Sequence, residues 1–362
     1  MINHTNYLTI KQVYNNHEFP KKVAILYSDV KRDYFPTNEA YITEKDSHKN
    51  AEIIKNYLTK LGIETDLIPG NLKLPHVLYK SKPELVINLV DSVKGSEFLS
   101  SSIPGVLELL EIPYTGAGIL GLSLCENKFL TKKIFQQNGI PTPHYQLANN
   151  HNDLIDPTLR YPLISKLNET HGAVEITNDA VSENEKHLRE RLKFLISTYN
   201  QPVLIEEFIV GREVSAFLLE GLNKKVYLAE RIINKQEGKY NFATFELQWL
   251  DEDNDTITYQ KFDDRVLSEY VRKAFSVVDM ADYGKFDVRI DSSGRYFFID
   301  SNANPSFGPK ETENPIATVL EMYGINFNEI LKRLLLNTMR DAQGKERLPV
   351  PESFSSNAAL KM

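Results

Sequence analysis

At Pro141-Thr-Pro143 the hydrophobic pattern of this chain changes, and the change separates two kinds of sheet. Before it, short apolar runs alternate with helical spacing. Val23-Ala-Ile-Leu-Tyr27 is an apolar run bounded by polar residues, as a buried strand is. Ala51, Ile53, Ile54, Tyr57, Leu58 and Leu61 then recur with helical period, and Gly62 stands where a helix C-cap belongs. The spacing predicts a second strand at Leu85–Val90, a Gly/Ser-rich loop from Asp91 to Ser102, and a helix around Gly105 to Leu110 leading into Ile112-Pro-Tyr-Thr115. A further helix from Glu126 to Asn138 ends at Gly139, and the two prolines stop it. Strands alternating with helices imply a parallel sheet and an α/β unit.

After the prolines, Leu163–Lys166, Val203–Phe208, Glu213–Leu219 and Val226–Arg231 read as strands, with a helix from Glu183 to Thr198. A long helix from Asp264 to Asp282 follows. Two more strands, Lys285–Ile290 and Tyr296–Asp300, are joined by the turn Asp291-Ser-Ser-Gly294. This half reads as α+β with antiparallel sheet. The polar first twenty residues read as an irregular arm, and the last twenty or so, with Pro349 and Pro351, as a mobile tail.

Composition excludes several classes. At 362 residues the chain suffices for two or three domains. Its 42 basic and 49 acidic residues give a net charge of −7, which argues against nucleic acid as a partner but leaves room for a local basic pocket. One cysteine, Cys125, excludes an intrachain disulfide and a cysteine-based zinc cage. No apolar run approaches the length of a spanning helix, and the first residues lack a signal-peptide pattern, so a cytoplasmic protein with no membrane partner is expected.

Gly116-Ala-Gly-Ile-Leu-Gly121 matches G-x-G-x-x-G but follows two earlier strands, where a dinucleotide fingerprint should close the first strand. A tight turn feeding the next helix accounts for it better. No P-loop is present, Ser100-Ser-Ser102 lacks the context of a serine nucleophile, and the eight histidines show no metal spacing.

Asp287 lies on one strand of the late hairpin and Asp300 ends the other, with Asn302 two residues on. All three can share a face, making either a hard-oxygen site suited to Mg²⁺ or a solvated hairpin edge. Lys166 follows apolar Leu163-Ile164, so its ammonium either finds a partner such as phosphate or snorkels out at a sheet edge. Lys128 is a second candidate cation. Glu206-Glu-Phe-Ile209 puts two acids in an apolar strand, either as a nucleotide-facing linker or as an alternating, half-exposed one. His171, beside Gly172, reads as a surface loop residue.

In order, Gly105–Gly116, Asn127–Lys132 with Gly139–Pro143, Val203–Glu213 and Ile299–Pro305 resemble the ATP-grasp superfamily, most closely the D-alanine:D-alanine ligase family. The resemblance covers about residues 21 to 335. It implies an α/β and α+β fold: a parallel-sheet N-terminal domain, then two sheets sandwiching ATP. The chain divides accordingly into an arm (1–20), an N-terminal unit (21–125), a central unit (126–212), a C-terminal unit (213–340) and a flexible tail (341–362). The resemblance further implies that Lys128 and Lys166 hold phosphates, Glu206, Glu207, Phe208 and Ile209 the adenine, and Glu213 the ribose. Asp287, Asp300 and Asn302 would ligate two Mg²⁺, with Mn²⁺ as a substitute. Lys285 stands where the family usually has an arginine aimed at the reacting carboxyl, Ser306 lies near backbone donors for the oxyanion, and His171 belongs to a closing loop. Glu44 and Lys310 are the substrate candidates.

The activity this implies is ATP-dependent ligation of a carboxylate to an amine through an acyl phosphate, on small-molecule substrates, with a homodimer left open. An ATP-binding scaffold and an ATP-grasp kinase are the alternatives. The residues that read the amino acid in the family depart from its pattern. Tyr27-Ser-Asp29 replaces a glycine pair, Glu169-Thr-His-Gly-Ala-Val174 replaces a serine-rich loop, Gly238–Phe245 replaces a tyrosine-bearing lid, and Asn302-Ala-Asn-Pro-Ser306 ends on serine instead of glycine. The resemblance therefore points to a substrate other than two D-alanines.

Overall fold

The structure is a computed structural model that describes residues 19–235, 238–251 and 256–350. Strand β1 (Lys22–Ser28) runs into a short helix α1 (Asn38–Ile42) and the longer α2 (Ser47–Lys60). Strand β2 (Glu64–Gly70), helix α3 (Leu74–Ser81) and strand β3 (Leu85–Leu89) complete a parallel sheet of order β2-β1-β3. Val23 and Ile25 pack on one face of β1 and Ala24 and Leu26 on the other, all 0 % exposed, which is why the run is continuously apolar.

Helix α4 (Ser102–Leu109) precedes a pair where one helix was expected: α5 (Ile119–Cys125) and α6 (Lys128–Gln137). The Asn127 side chain accepts from the Leu130 N–H and starts α6 two residues later than the pattern suggested, leaving Glu126 in the turn between the helices. The glycine motif serves packing here. Gly116 has φ +88° and donates its N–H to Asp282 (2.7 Å), while a Cβ at Gly121 would lie 2.2 Å from the Asp279 carbonyl oxygen.

The central sheet comprises β4 (Tyr145–Ala148), β5 (Leu163–Leu167), β6 (Val181–Ser182) and, after helix α7 (Glu185–Tyr199), β7 (Val203–Glu207), in antiparallel order β4-β7-β5-β6. The third sheet holds β8 (Gly211–Glu220) and β9 (Lys224–Ile233), then, past the short helix α8 (Phe245–Trp249), β10 (Ile257–Phe262). Helix α9 (Arg265–Val277), capped by the Asp264 side chain, leads to β11 (Tyr283–Asp291) and β12 (Tyr296–Asn302), giving the antiparallel order β10-β9-β8-β11-β12.

Helices α10 (Pro315–Met322) and α11 (Phe327–Ala342) end the described chain. Helix α11 serves two cores: Leu331 and Leu335 join the first sheet, Ile330 and Leu334 the third. Most of the expected arm, residues 1–18, and most of the expected tail, residues 351–362, lie outside the described residues. Within that tail, Leu348 and Val350 are tied to Asn337 and Asn223, and Val350 is 7 % exposed. No helix among the described residues is long and apolar enough to cross a membrane.

The two helical glycines should respond oppositely to alanine. Gly105→Ala meets only the Ile119 side chain at 3.6 Å and should gain roughly 0.5–1 kcal/mol from helix propensity. Gly121→Ala must displace backbone and should cost about 1–3 kcal/mol. Denaturant midpoints of the two variants check the contrast.

Candidate functional site

A cleft of about 1950 Å³ opens between the three sheets. At its base lies a buried charge cluster. Glu206, at 0 % exposure on β7, is contacted by Lys132 from α6 and by Lys166 from β5 (2.6 Å). Burial alone would raise its carboxyl, but the two ammonium groups hold it below its usual value. Burial pulls Lys132 down, against the carboxylate that favours its charge. The lysines also donate to the carbonyls of Phe298 and Ile299 on β12, each at 3.1 Å, and so bind the central sheet to the third. Lys132 is absent from the sequence reading. Its signal was its i, i+4 relation to Lys128 on the face of α6 that carries buried Phe135.

The metal candidates sit on β11 and β12. Asp287 pairs with Asp300 and Lys285 with Asn302 in the antiparallel register, so all four side chains share a face. A bulge after Asp287 leaves Ile299 without a cross-strand partner. Asp287 contacts the Lys285 ammonium, accepts from the Ser215 hydroxyl (2.9 Å), and lies 3.7 Å from Arg231. Asp300 Oδ1 is buried with no hydrogen-bond partner. Burial would raise Asp300, yet Lys128, His171, Lys166 and Lys285 hold it far below the carboxylate range. An orphaned, anionic oxygen beside a second carboxylate and a carboxamide oxygen fits a hard divalent cation.

The remaining nucleotide candidates line the same cleft. Glu213 is clasped by Arg231 (2.7 Å) and Arg289 (3.0 Å), its cross-strand neighbours on β9 and β11. The Glu207 carboxylate turns away to accept from the Arg160 N–H (2.9 Å). Phe208 lies beneath the Arg289 guanidinium and, with Ile164 and Phe242, forms a small apolar cluster facing the cleft. Neither Glu206 nor Glu207 thus offers the cleft a free carboxylate, while Phe208 and Ile209 offer it apolar surface.

His171 is far from a surface residue: its side chain is 12 % exposed. Nδ1 donates to Asn302 Oδ1 (2.9 Å), and burial together with Lys128 brings the imidazole down to about 4. Its loop is pinned on three sides. The His171 N–H donates to Glu97, the Trp249 indole donates to the Gly172 carbonyl, each at 2.7 Å, and Lys128 Nζ donates to the Thr170 carbonyl at 2.7 Å. Atoms of Glu97, Glu126 and His171 lie within 4.8 Å of one another, a group sequence reasoning missed because both acids stand at helix boundaries. Glu44, 5 % exposed, accepts from the Ser92 hydroxyl (2.7 Å), and burial raises it to about 7. Ser306 and Lys310 are exposed at the rim, Lys310 with Glu321 at 3.6 Å.

Comparison with known proteins bears on this arrangement. The family model described as D-ala D-ala ligase C-terminus matches residues 134–336, more than half of the chain. The chain belongs to that family. Among its relatives, a D-alanine–D-alanine ligase of Gloeobacter violaceus is 25 % identical over 286 residues, covering 77 % of this chain and 89 % of that protein. An uncharacterised protein, y4sG, of Sinorhizobium fredii is 26 % identical over 268 residues, 70 % of this chain and 78 % of its own length. The fold is that of a D-alanine–D-alanine ligase from Bacillus anthracis complexed with ATP, with a TM-score of 0.69 over 90 % of this chain and 99 % of that one at 15 % identity. The Coxiella burnetii ligase gives 0.64 over 90 % and 96 %. This shared fold is the expected ATP-grasp arrangement, one parallel and two antiparallel sheets.

Glu206→Gln should leave two buried ammonium groups without their counter-charge and cost about 3–5 kcal/mol. Adding Lys132→Met should restore a large part of that loss. Urea unfolding of the single and double variants measures both.

Proposed function

We propose that the protein is an ATP-dependent ligase that joins a carboxylate to an amine through an acyl phosphate, acting on an amino acid or small peptide-like acid. The observation that carries this reading is the placement of Lys128 and Lys166 opposite the shared face of Lys285, Asp287, Asp300 and Asn302 across one cleft. The two lysines are point charges for the polyphosphate, and the buried Glu206 carboxylate fixes the position of the Lys166 ammonium. Asp287, Asp300 and Asn302 would hold Mg²⁺, which when bound neutralises charge on the transferring phosphoryl group. The aromatic and aliphatic wall of Ile164, Phe208 and Phe242 takes the purine, and Glu213 takes the ribose hydroxyls on lone pairs its arginines leave free.

A carboxylate resists attack because its leaving group would be oxide. Transfer of the γ-phosphoryl group from ATP releases ADP and gives the carboxyl carbon a phosphate leaving group. The amine nitrogen then bonds to that carbon, phosphate departs, and the nitrogen loses a proton as the amide forms. Lys285 favours the negative charge that builds on the carbonyl oxygen once Asp287 turns to Mg²⁺, together with backbone N–H groups near Ser306. The pinned loop at His171 keeps water from the acyl phosphate. Glu44 receives the ammonium of the acid substrate. A scaffold would gain nothing from the orphaned Asp300 oxygen, whose burial is costly without a cation.

A coupled assay of ADP release, screening acids against amines, tests the reading. At least one pair should release ADP together with an amide product. Asp300→Ala should lower that rate by about a hundredfold or more while leaving the thermal midpoint near wild type. Chelation by EDTA should abolish turnover, and Mg²⁺ or Mn²⁺ should restore it. ADP release with a phosphorylated product and no amide would favour a kinase instead.

A further inference from the structure

Residues 30–43, between β1 and α2, leave the N-terminal unit and enter the core of the central one. Phe35 and Ala40, each 7 % exposed, share an apolar cluster with Leu163 and Leu167 of β5 and Leu188 and Leu192 of α7. Val30, Tyr34 and Tyr41 pack against the same cluster. So does Val174, which is buried in it and belongs to the loop 170–175 that lines the cleft with Lys128 and Lys166. A strap from one unit therefore shares a core with the loop beside the phosphate lysines of another.

The loop backbone is strained at two residues. Ala173 and Glu175 have φ of +57° and +63°, a region that side chains other than glycine rarely occupy and that persists where surrounding contacts impose it. The strap supplies two such contacts. A Cβ at Gly172 would lie 2.8 Å from Thr43 Cγ2, so the end of the strap presses on the loop. The other contact is a hydrogen-bond chain of fixed direction. Arg191 of α7 donates to the Glu175 carbonyl (2.5 Å) and to its carboxylate (2.9 Å). Tyr199, at the end of α7, donates its one hydroxyl proton to the other carboxylate oxygen (2.8 Å). In the 2.9 Å contact between the Tyr199 and Thr37 hydroxyls, Thr37 is therefore the donor. Thr37 Oγ1 in turn accepts from the Ala40 N–H (3.2 Å) at the start of α1. The chain runs from the strap, through Tyr199, to the strained loop residue Glu175.

We propose that Thr37 and Tyr199 are positioning residues for the loop 170–175, through which the strap of the N-terminal unit holds that loop over the nucleotide phosphates and slows nucleotide release. Neither residue lines the cleft, so both act through Glu175. Opening the loop costs the chain its hydrogen bonds, and a nucleotide beneath it leaves only as often as the loop opens. The inference rests on the nucleotide part of the ligase reading, which puts the phosphates at Lys128 and Lys166.

The test uses the full chain with Mg²⁺ and adenylyl imidodiphosphate, a non-hydrolysable ATP analogue. Wild type is compared with Thr37→Val, Thr37→Ser, Tyr199→Phe and the double variant of Thr37→Val with Tyr199→Phe. Trp249, the one tryptophan of the chain, donates to the Gly172 carbonyl, so its emission follows the loop as the nucleotide leaves on dilution. Thr37→Val and Tyr199→Phe should each speed release about three- to tenfold, the net contribution of one hydrogen bond, and change association by less than about twofold. The double variant should release no faster than the faster single one, because both break the same chain. Thr37→Ser keeps the hydroxyl and should release at the wild-type rate. Amide hydrogen exchange of the nucleotide-free protein should quicken at residues 170–176 in Thr37→Val and Tyr199→Phe and stay unchanged in β5 and β7. Release at the wild-type rate from either of these variants overturns the proposal. So does Thr37→Ser releasing as fast as Thr37→Val. Faster exchange spread through β5 and β7 also overturns it, since the hydroxyls then support the fold and not the loop. Absence of nucleotide binding by calorimetry overturns the nucleotide reading alone, because the exchange comparison still decides whether the strap holds the loop.

Discussion

The carboxylate of Glu206, held between Lys132 and Lys166, is the contact on which the geometry of the cleft depends. One carboxylate and two ammonium groups leave a residual positive charge in a buried place, and carbonyls at Phe298 and Ile299 offset part of it. Those carbonyls belong to β12, the strand that ends in Asp300 and Asn302. The same contacts that neutralise the base of the site therefore set the spacing between its cationic wall and its anionic one. Residual positive potential there also favours an incoming polyphosphate, despite the negative charge of the whole chain.

A similar logic runs through the third sheet. Arg231, Glu213 and Arg289 are successive cross-strand neighbours on β9, β8 and β11 and alternate in sign, and Asp287, two residues before Arg289, lies 3.7 Å from Arg231. Each charge is flanked by its opposite, so none is left to bear its burial alone. The bulge after Asp287 lets Ile299 turn its carbonyl to Lys166 without disturbing the Asp287–Asp300 pairing. Local irregularity and global alignment are the same feature here.

What could be read from the residues follows from burial. The strands recognised in advance, such as β1, β3, β5, β7 and β11, are dominated by buried side chains and show as apolar runs. Those missed, β2, β4, β6 and β10, are all edge strands, half-exposed or very short; β2 even contains Pro69, which an edge tolerates. The hairpin carboxylates were legible because cross-strand register follows from one turn. The group of Glu97, Glu126 and His171 was not. Its members come from separate segments, each read as a loop or a helix end, and only the tertiary fold gathers them. His171 reads as a surface loop residue for the same reason: nothing local announces that Asn302, Glu97 and Glu126 will surround it.

Helix α11 has a bearing on how the molecule comes into being. Its Leu331 and Leu335 complete the core beneath β1 and β3, strands made more than two hundred residues earlier. Helix α2 covers part of that face with Ala51, Ile54 and Leu58, but until α11 has left the ribosome the part beside β3 stays open, and the N-terminal unit cannot finish folding ahead of the rest. Synthesis of this chain therefore does not yield a finished domain followed by others. The core of the first sheet waits on α11, and an interrupted chain leaves the apolar surface beside β3 open to chaperones and proteases.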